Sequence, residues 1–480
     1  MFAVKSTLGS GYTGAVPSVD PYWSNVVTLL NGNGTANASQ NNTFTFTAGG
    51  SGSITRTGAP TIGTFAPYTT SGWASMAFNG GNSTSNLDCI TMPSFSSYAI
   101  GASTDFTVEA WIYVNQFSNT FFPIWQSDAS LTAPGSTSMW FGATPTGIQI
   151  GAVGGSTASF TGQTVNTGTW YHVAVSRQSG TTRAFLNGNL ISSSATFSGV
   201  AFAQNGAAMG YRASPSASFA FGNISNFRLV NGTAVYTASF TPSTSPLTNI
   251  TNTAILLTNT NAGVIDYSKK SDYVTAGSMQ ISTGTVKYGS GSLSFPSTGS
   301  WLTTLSTQTS AVYSPIPTVG NILTGDFTIE GWFNFTSGQT SGVRSLIAQW
   351  DQSSLSLVGF ILRTNAGGLE FLWGPDPGAG IIMSGGSITA GTWQHIAVTR
   401  SGNTFRMFLN GTQTATTTNT NTRAAIAVPY SMGNYYGPSR TLPASGPVDF
   451  IGFMDEIRIT KGYARYTANF TVPAGAFPTS

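Results

Sequence analysis

Charge is what this sequence has least of. Only 7% of its 480 residues are Asp, Glu, Lys or Arg, against roughly a quarter in an ordinary soluble chain. The net charge is +3, and the longest basic run is the pair Lys269 and Lys270. Because such a chain cannot neutralise a series of phosphates, we expect no nucleic-acid partner.

Cysteine and long apolar runs are also scarce. The single cysteine, Cys89, excludes an intrachain disulfide, and we expect it to be a small buried apolar residue rather than a reactive thiol. No apolar run approaches the ~18 residues of a membrane span, and the opening MFAVKSTLGSGYTGAVPS lacks the apolar core of a secretion signal. We therefore expect that the chain does not insert into a membrane. We also expect that it matures in a reducing cytosol.

Apolar residues make up 40% of the chain and aromatic residues 12%, which is enough to build cores. Several segments of the sequence occur twice. The repeated segments are DFTVEAWIYV (105–114) and DFTIEGWFNF (326–335), GTWYHVAVSR (168–177) and GTWQHIAVTR (391–400), RAFLNG (183–188) and RMFLNG (406–411), NFRLVNGTAVYTASFTP (226–242) and EIRITKGYARYTANFTV (456–472), and VVTLLNGNG (26–34) and TAILLTNTN (253–261).

The spacing of about 220 to 230 residues fits a duplicated domain, since solenoid units run from roughly 20 to 50 residues. We predict an N-terminal arm over residues 1–19, a first domain over 20–245 and a second over 250–480. The joint falls in TPSTSPLTN (241–249), which is rich in Pro, Ser and Thr and has no apolar periodicity.

Each copy has the pattern of strands. In FTVEAWIY the apolar residues at 106, 108, 110 and 112 alternate with the residues between them, and the second copy repeats this period of two. The Asn-Gly pairs at 187–188 and 410–411 predict hairpin turns, because both central positions need a positive φ. Short strands without a long helical pattern predict two packed antiparallel sheets in each copy.

These segments carry a family resemblance. DFTVEAW, GTWYHVAVSR, FLNG and FRLVNGTAVYT, in that order in both copies, resemble the laminin G-like jelly roll of the concanavalin A-like lectin and glucanase superfamily. The pattern from Gly232 through Tyr236 and Phe240 to Pro246 is similar to the ends of such domains in structural proteins of bacteriophage particles. The resemblance implies an all-β protein of two tandem β-sandwich (jelly-roll) domains, with a binding or scaffolding role.

Because the superfamily includes glucan hydrolases, catalysis must be considered. Glycoside hydrolysis usually needs two carboxylates roughly 5 to 9.5 Å apart, and the Glu-x-Asp-x-Glu spacing of related hydrolases is missing. In the second copy Asp455 and Glu456 are adjacent, so we expect them to point to opposite faces of a strand. In the first copy we expect Asp105 and Asp128 to lie at strand edges or turns. The sequence therefore predicts no catalytic residues.

The repeated glutamates need another explanation. A half-buried carboxylate requires a charged or hydrogen-bonding partner, and each copy repeats two arginines. We predict structural ion pairs of Glu109 with Arg228 or Arg183. The corresponding pairs in the second copy join Glu330 to Arg458 or Arg406.

The two histidines, His172 and His395, occupy equivalent places, and neither has the neighbours of a catalytic or transition-metal site. We expect both to be hydrogen-bonded strand residues. Calcium, which the resemblance makes an alternative for the second domain, would use Asp455, but the first copy has Ser225 and Asn226 there. We expect no cofactor.

A sugar site would need exposed aromatic faces with amide and hydroxyl partners. Outside the clearest strands the candidates are Trp140, Trp373, Tyr435 and Tyr436, but an aromatic residue in a β-sandwich is more often buried. The sequence therefore designates no sugar site. Trp125 and Trp350, in equivalent apolar strands, are expected in the core.

These observations predict a non-enzymatic bacteriophage virion structural protein, such as a capsid decoration, tail accessory or fibre component. Its expected partners are other virion proteins, further copies of itself and host-surface glycans, and its expected location is the virion, assembled in the host cytoplasm. The alternatives are a carbohydrate-binding lectin or adhesin and, less favoured, a glycoside hydrolase.

Overall fold

The computed structural model describes residues 19–480 with these gaps: 34–43, 59, 69–73, 84–85, 204, 259–263, 269, 271, 305–321, 351–357, 375–379, 422–429 and 435–447. The predicted arm, except for its last residue, lies outside the described residues. Regular structure in the described chain is strand apart from two short 3-10 helices, Trp23–Asn25 and Ser96–Tyr98. No helix there is long and apolar enough to cross a membrane.

The described residues form two compact units. One, here called the first jelly roll, holds the described residues of 40–262. The other, the second jelly roll, holds those of 263–480 together with those of 1–39. Two units agree with the predicted duplication, but the described residues 20–33 and 250–258 lie in the opposite unit from the one predicted.

The first jelly roll contains strands β2 to β21, and the second contains β1 and β22 to β35. Their bounds are β1 Val26–Leu30, β2 Ala48–Gly49, β3 Thr55–Thr57, β4 Thr61–Gly63, β5 Ser75–Asn79, β6 Gly81–Ser83, β7 Asn86–Leu87, β8 Cys89–Met92, β9 Phe106–Gln116, β10 Phe122–Gln126, β11 Met139–Thr144, β12 Gly147–Ala152, β13 Thr157–Thr161, β14 Trp170–Gln178, β15 Thr181–Leu186, β16 Asn189–Ser194, β17 Ala207–Met209, β18 Tyr211–Arg212, β19 Ser218–Phe219, β20 Phe221–Asn231, β21 Thr253–Leu257, β22 Tyr273–Ala276, β23 Gln280–Ser282, β24 Ser292–Phe295, β25 Trp301–Thr304, β26 Phe327–Phe335, β27 Val343–Trp350, β28 Val358–Asn365, β29 Gly368–Trp373, β30 Ile381–Ser387, β31 Trp393–Ser401, β32 Thr404–Leu409, β33 Thr412–Thr418, β34 Tyr430–Met432 and β35 Gly452–Lys461.

Each unit has two main antiparallel sheets. In the first jelly roll the orders are β13-β12-β11-β10-β17-β8-β3 and β16-β15-β14-β9-β20-β21-β2, with β5 also on β20. In the second they are β22-β25-β34-β27-β28-β29-β30 and β23-β24-β35-β26-β31-β32-β33, with β1 also on β35. The paired sheets confirm the predicted all-β antiparallel fold.

The core lies between the two sheets of each unit. In β9 the residues at 106, 108, 110 and 112 are all fully buried members of the first core, so the predicted alternation is confirmed. In β26 Phe327, Ile329 and Phe333 have the same role in the second core. Gly331 faces Ile457, whose Cδ1 would lie 2.4 Å from an added Cβ, so the alternation continues with a residue that leaves space for its neighbour.

The predicted domain boundary differs because two equivalent strands are exchanged. Strand β1, at the start of the first repeat, pairs with residues 457–460 of β35 in the second jelly roll. Strand β21, at the start of the second repeat, pairs with the equivalent residues 227–230 of β20 in the first. Each body is therefore completed by the opening strand of the other repeat, which a boundary drawn by sequence order cannot show.

Both units contain a β-bulge at the same position. Trp111 pairs with Ser225 and Glu109 with Arg228, so Ala110 faces two residues. The second unit repeats this pattern between β26 and β35. The bulge residue is Asn226 at φ 53° in the first unit and Glu456 at φ 51° in the second. Asparagine tolerates this left-handed conformation better than glutamate does.

Candidate functional site

The repeated glutamate of the first jelly roll lies at the centre of a buried cluster on the sheet face opposite the core. Glu109 is 0% exposed. Its Oε1 accepts hydrogen bonds from Arg228 Nη2 at 2.6 Å and Nε at 2.8 Å. Its Oε2 lies 3.1 Å from His172 Nε2 and accepts a bond from the Tyr236 hydroxyl at 2.8 Å. These four side chains are called the first ionic cluster.

The second jelly roll repeats the arrangement. Glu330, also 0% exposed, accepts from Arg458 Nη2 at 2.8 Å and Nε at 2.9 Å. Its Oε2 accepts from the Tyr466 hydroxyl at 2.7 Å and lies 3.3 Å from His395 Nε2. This second ionic cluster matches the first, so the repeated segments of the sequence meet at one place in each unit.

Of the two arginines proposed for each glutamate, the structure brings one close. Arg228 and Arg458 contact the carboxylates. Arg183 and Arg406 lie on β15 and β32, which pair with β14 and β31 rather than with the glutamate strands. The Nη1 atoms of both are buried without a hydrogen-bond partner. Strand order explains the difference, since β20 and β35 are direct neighbours of β9 and β26.

The clusters hold their carboxylates ionised. Burial alone would raise the pKa of Glu109, but the hydrogen bond and charge of His172 and the charge of Arg228 outweigh it and lower that pKa. For Glu330, Arg458 and then His395 overcome the same desolvation, and the pKa is again below its usual range. An ionised carboxylate can only accept, so the Nε2 atom of His172 carries the proton in the hydrogen bond to Glu109.

A segment following β20 covers the first ionic cluster. Within residues 232–247 the rings of Tyr236 and Phe240 stack with centroids 3.6 Å apart, and the His172 ring lies nearly perpendicular to both, at 6.4 Å and 5.6 Å between centroids. The Phe240 amide donates to the Gly188 carbonyl at 2.9 Å. In the second unit, residues 462–477 place Tyr466 on its cluster in the same way.

The Asn-Gly turns help to position this covering segment. Asn187 and Gly188 have φ values of 49° and 77°, which confirms the predicted turn. The side-chain oxygen of Asn187 accepts a bond from the backbone N–H of His172 at 2.9 Å, and the backbone N–H of Asn187 donates to the His172 carbonyl at 2.8 Å. The turn therefore fixes the strand that carries the histidine and also receives the covering segment.

Sequence reasoning missed the two tyrosines and the pairing of each histidine with a glutamate. Both histidines do lie on strands, as predicted, and their repetition beside a repeated Glu and a repeated Tyr was the available signal. Chemically, a fully buried carboxylate with cationic and hydroxyl partners can brace a sheet. It offers no acid or base to a substrate in solution.

The other acids of the first repeat are engaged separately. Asp88 accepts from the Asn79 amide at 2.9 Å, and Asp105 from the Ser179 amide at 2.8 Å. Asp128 accepts from the amides at 130 and 135 and from the side chains at 138 and 205. Asp105 directly precedes β9 and Asp128 follows shortly after β10, so both lie beside strand ends, as predicted. In the second unit Glu370 pairs across strands with Arg363 at 2.8 Å.

The expectation that Asp455 and Glu456 point to opposite faces is wrong. Met454 and Ile457 both belong to the core, so the two acids between them occupy the bulge and both lie outside the core. Asp455 Oδ2 accepts from the Lys287 and Tyr288 amides, and Glu456 Oε2 accepts from an amide at residue 477. A bulge shifts the alternation by one residue, which the sequence pattern did not reveal.

Burial dominates the chemistry of this acid pair. Desolvation is the main cause that raises the pKa of Asp455 to about 7 and that of Glu456 to about 8, and the charge of Asp455 is part of the rise at Glu456. Calcium needs several oxygen ligands. Asp455 already accepts from three amides, because its Oδ1 takes the Glu456 amide. In the described ranges no three His, Cys, Asp or Glu side chains are grouped to hold a metal, so this pair does not fit a calcium site.

The aromatic candidates for sugar stacking are buried where they are described. Trp140 is 1% exposed and Trp373 3% exposed, so neither offers a face to a ligand, while Tyr435 and Tyr436 lie outside the described residues. Trp125 is in the core as predicted, and nothing is described of the Trp350 side chain. Cys89 is buried, as predicted, and desolvation raises the pKa of its thiol to about 12.

Comparison with known proteins identifies the family. The family described as the concanavalin A-like lectin/glucanases superfamily, a laminin G-like domain family, matches residues 84–237 and 306–464. These two matches lie one in each repeat and together cover more than half of the chain. The protein therefore belongs to this superfamily and carries the domain twice. No curated protein sequence matches the chain significantly.

Solved structures that the chain is similar to include mouse laminin α1 domains LG4-5, at 12% identity and TM-score 0.27 over 79% of this chain and 89% of that one. The binding domain of Paraclostridial Mosquitocidal Protein 1 is 16% identical at TM-score 0.31, over 42% of this chain and 47% of that one. The botulinum neurotoxin type G receptor binding domain is 11% identical at TM-score 0.29, over 43% and 46%. The chain thus spans about half the length of the toxin structures that it matches.

Proposed function

We propose that this protein is a non-enzymatic binding module and that it works as a structural component of a bacteriophage particle. The observation that carries the first part is the burial of the repeated glutamates. Glu109 and Glu330 are both 0% exposed and each is held by an Arg and a Tyr. The acids that a hydrolase would display in a cleft are used here to fasten a covering segment to a sheet.

The binding role follows from the family and from the surface. Laminin G-like domains present broad sheet faces and loops, and with 7% charged residues the exposed part of this chain is solvated mainly by hydroxyl and amide groups. Such groups form directional hydrogen bonds with sugar hydroxyls. Weak contacts of this kind gain strength when many copies present them together. Host-surface glycans are therefore the proposed external partners.

The placement in a phage particle is supported by the sequence. The composition is that of an adhesin, yet the single cysteine provides no disulfide framework of the kind that secreted domains use. The segment from Gly232 through Tyr236 to Pro246 resembles the ends of domains in phage structural proteins. A capsid decoration, tail accessory or fibre component, assembled in the host cytoplasm beside other virion proteins and further copies of itself, combines these properties.

The experiment that tests the phage role is mass spectrometry of density-purified phage particles from the source culture, with gold-labelled antibody to locate the protein on the particle. Peptides of the chain in stoichiometric amounts with the capsid protein are expected. Their absence from particles, while the protein is abundant in the cell fraction, would overturn the phage role and leave the lectin or adhesin reading.

The enzymatic alternative has its own assay. Purified full-length chain should release no reducing ends from a panel of β-glucans and host polysaccharides. Any release that Glu109→Gln or Glu330→Gln abolishes while folding is retained would show that the buried carboxylates are catalytic. A glycan array with the protein displayed multivalently, compared with the monomer, measures the binding role directly.

A further inference from the structure

The exchanged strand β1 is the feature that leads beyond the proposed function. All five residues of β1 are buried, and its ladder with β35 runs from Val26 opposite Thr460 to Leu30 opposite Ile457. Asn25 Nδ2 donates to the Lys461 carbonyl although 436 positions separate the two residues. The second jelly roll is therefore completed by a segment from the far end of the chain.

The first jelly roll shows how the same place is filled locally. There β21 follows the covering segment, residues 232–247, closely in sequence. Arg228 Nη1 donates to the carbonyl of Thr248, which lies between that segment and β21, at 3.0 Å. In the second unit the equivalent Arg458 Nη1 donates to Asp20 Oδ2 at 3.0 Å. The main-chain carbonyl of Thr248, which follows closely in sequence, is thus replaced in the second unit by the carboxylate of Asp20, which is remote in sequence.

The remote segment has its own anchors on the second jelly roll. The Asp20 carboxylate also accepts from Arg465 at 2.7 Å, and the rings of Tyr22 and Tyr463 stack with centroids 3.6 Å apart and their hydroxyls 2.6 Å apart. The second cluster therefore receives an additional buried acid at the place where the first cluster has the Thr248 carbonyl.

The strand itself is held on both edges and both faces. Val27 and Leu30 enter the second core, and Leu29 packs with Phe477 on the opposite face. The Leu29 amide donates to Asp266 Oδ1 at 2.9 Å, and Lys270 Nζ donates to the Val26 carbonyl at 2.6 Å. Every one of these contacts is made by residues 19–33 and by the body of 264–480.

We propose that residues 19–33 form a donor strand that a second copy of this chain can accept, so that copies join by inserting β1 of one into the second jelly roll of the next. A strand from another copy would make the same ladder, the same core contacts and the same ion pairs. Insertion of β1 within one chain and insertion between two chains therefore differ only in the entropy of bringing the strand to its site. For insertion between chains, that entropy depends on protein concentration. High local concentration, as in an assembling particle, favours exchange between copies.

The test uses full chains in a Cys89→Ala background. An acceptor carries Thr460→Cys together with Leu29→Asp, which disables its own strand by placing an unpaired charge in the buried contact with Phe477. A donor carries Val26→Cys alone. The two chains are unfolded, refolded together and oxidised, and the products are separated on a non-reducing gel. Because residues 26 and 460 are paired in the ladder, a covalent heterodimer forms where β1 is donated between chains.

We expect a heterodimer whose yield rises with donor concentration. A control donor with both Val26→Cys and Leu29→Asp should lower the yield roughly tenfold or more, because a buried unpaired charge costs several kcal/mol. If the acceptor with Leu29→Asp fails to fold, the pair Val26→Cys and Thr460→Cys, refolded together at increasing concentration, decides the matter. Absence of heterodimer at every concentration, while a chain with both cysteines closes the disulfide within itself, would overturn the proposal.

Discussion

Replacing Asp455 and Glu456 with Ser and Asn, the residues of the first jelly roll at the same bulge, should remove a pH dependence from the second jelly roll. Burial raises the pKa of Asp455 to about 7 and of Glu456 to about 8, from ordinary values of about 4. Ser225 and Asn226 occupy the same buried positions without titrating. The first jelly roll therefore serves as an internal control for the pH dependence of the second.

The sign follows from the direction of the shifts. Since both folded-state pKa values exceed the unfolded-state values, the contribution of the protonated acids is fully present below about pH 4 and is lost as pH rises through 7 and 8. One unit of pKa difference corresponds to about 1.4 kcal/mol. From pH 5 to 9 a single acid accounts for a loss of about 3 kcal/mol, and the coupled pair for less than twice that.

Hydrogen exchange measured by mass spectrometry can follow both units at once. Between pH 5 and 9, peptides from β35 should lose between about a hundredfold and about ten-thousandfold in protection factor, since each 1.4 kcal/mol is tenfold, while peptides from β20 should not. The double variant should protect β35 equally at both ends of the range. Glu456→Gln is the matched control, because it removes one titration but keeps a long side chain at φ 51°.

A flat protection profile for β35 in the unmodified chain would refute the reasoning. It would show that water or rearrangement solvates the pair in the folded state. An unchanged pH dependence in the double variant would assign the effect to other groups. The replacement by Asn should also stabilise the bulge at all pH values by about 1 kcal/mol, because a left-handed glutamate is strained.

Two further substitutions, with Arg183→Met as a control, probe the first ionic cluster by equilibrium unfolding, and a third probes the turn that receives its covering segment by limited proteolysis. Arg228→Met should cost about 3 to 5 kcal/mol by leaving a buried carboxylate without its cation, whereas Arg183→Met should cost much less; equal losses would contradict the assignment of the pair. Tyr236→Phe should cost about 1 to 3 kcal/mol through one lost bond to a charged group, and no loss would mean that water replaces the hydroxyl. Gly188→Ala would place a Cβ 1.9 Å from the Phe240 carbonyl oxygen at φ 77°, so it should release residues 232–247 to limited proteolysis, and unaltered cleavage would contradict their docking on this turn.

Much of each unit could be predicted from the sequence because the signals are local. The period of two in β9 placed four residues in the core, and the Asn-Gly pair gave both positive φ values of the turn. The pairing of Glu109 with an arginine followed from the cost of burying a lone charge. Which arginine it would be depended on strand order, and the sequence does not state which strands are neighbours.

The bulge could not be predicted because it breaks the alternation on which the prediction relied. Asp455 and Glu456 read as opposite-facing residues of a regular strand, and only the extra residue between two core positions places both outside the core. The covering role of Tyr236 was missed for a related reason. A segment without periodicity gives no indication of the surface on which it packs.

The sequence by itself determined that this chain is an all-β protein built twice, with few charges and one repeated acid in each copy. Those properties reside in composition, in local alternation and in the spacing of repeats, each of which can be read along the chain. Tertiary structure alone decided which body each opening strand completes. VVTLL and TAILL are equivalent sequences that fit equivalent places beside β35 and β20, so local physics permits either pairing, and the choice depends on the long-range connection of the chain.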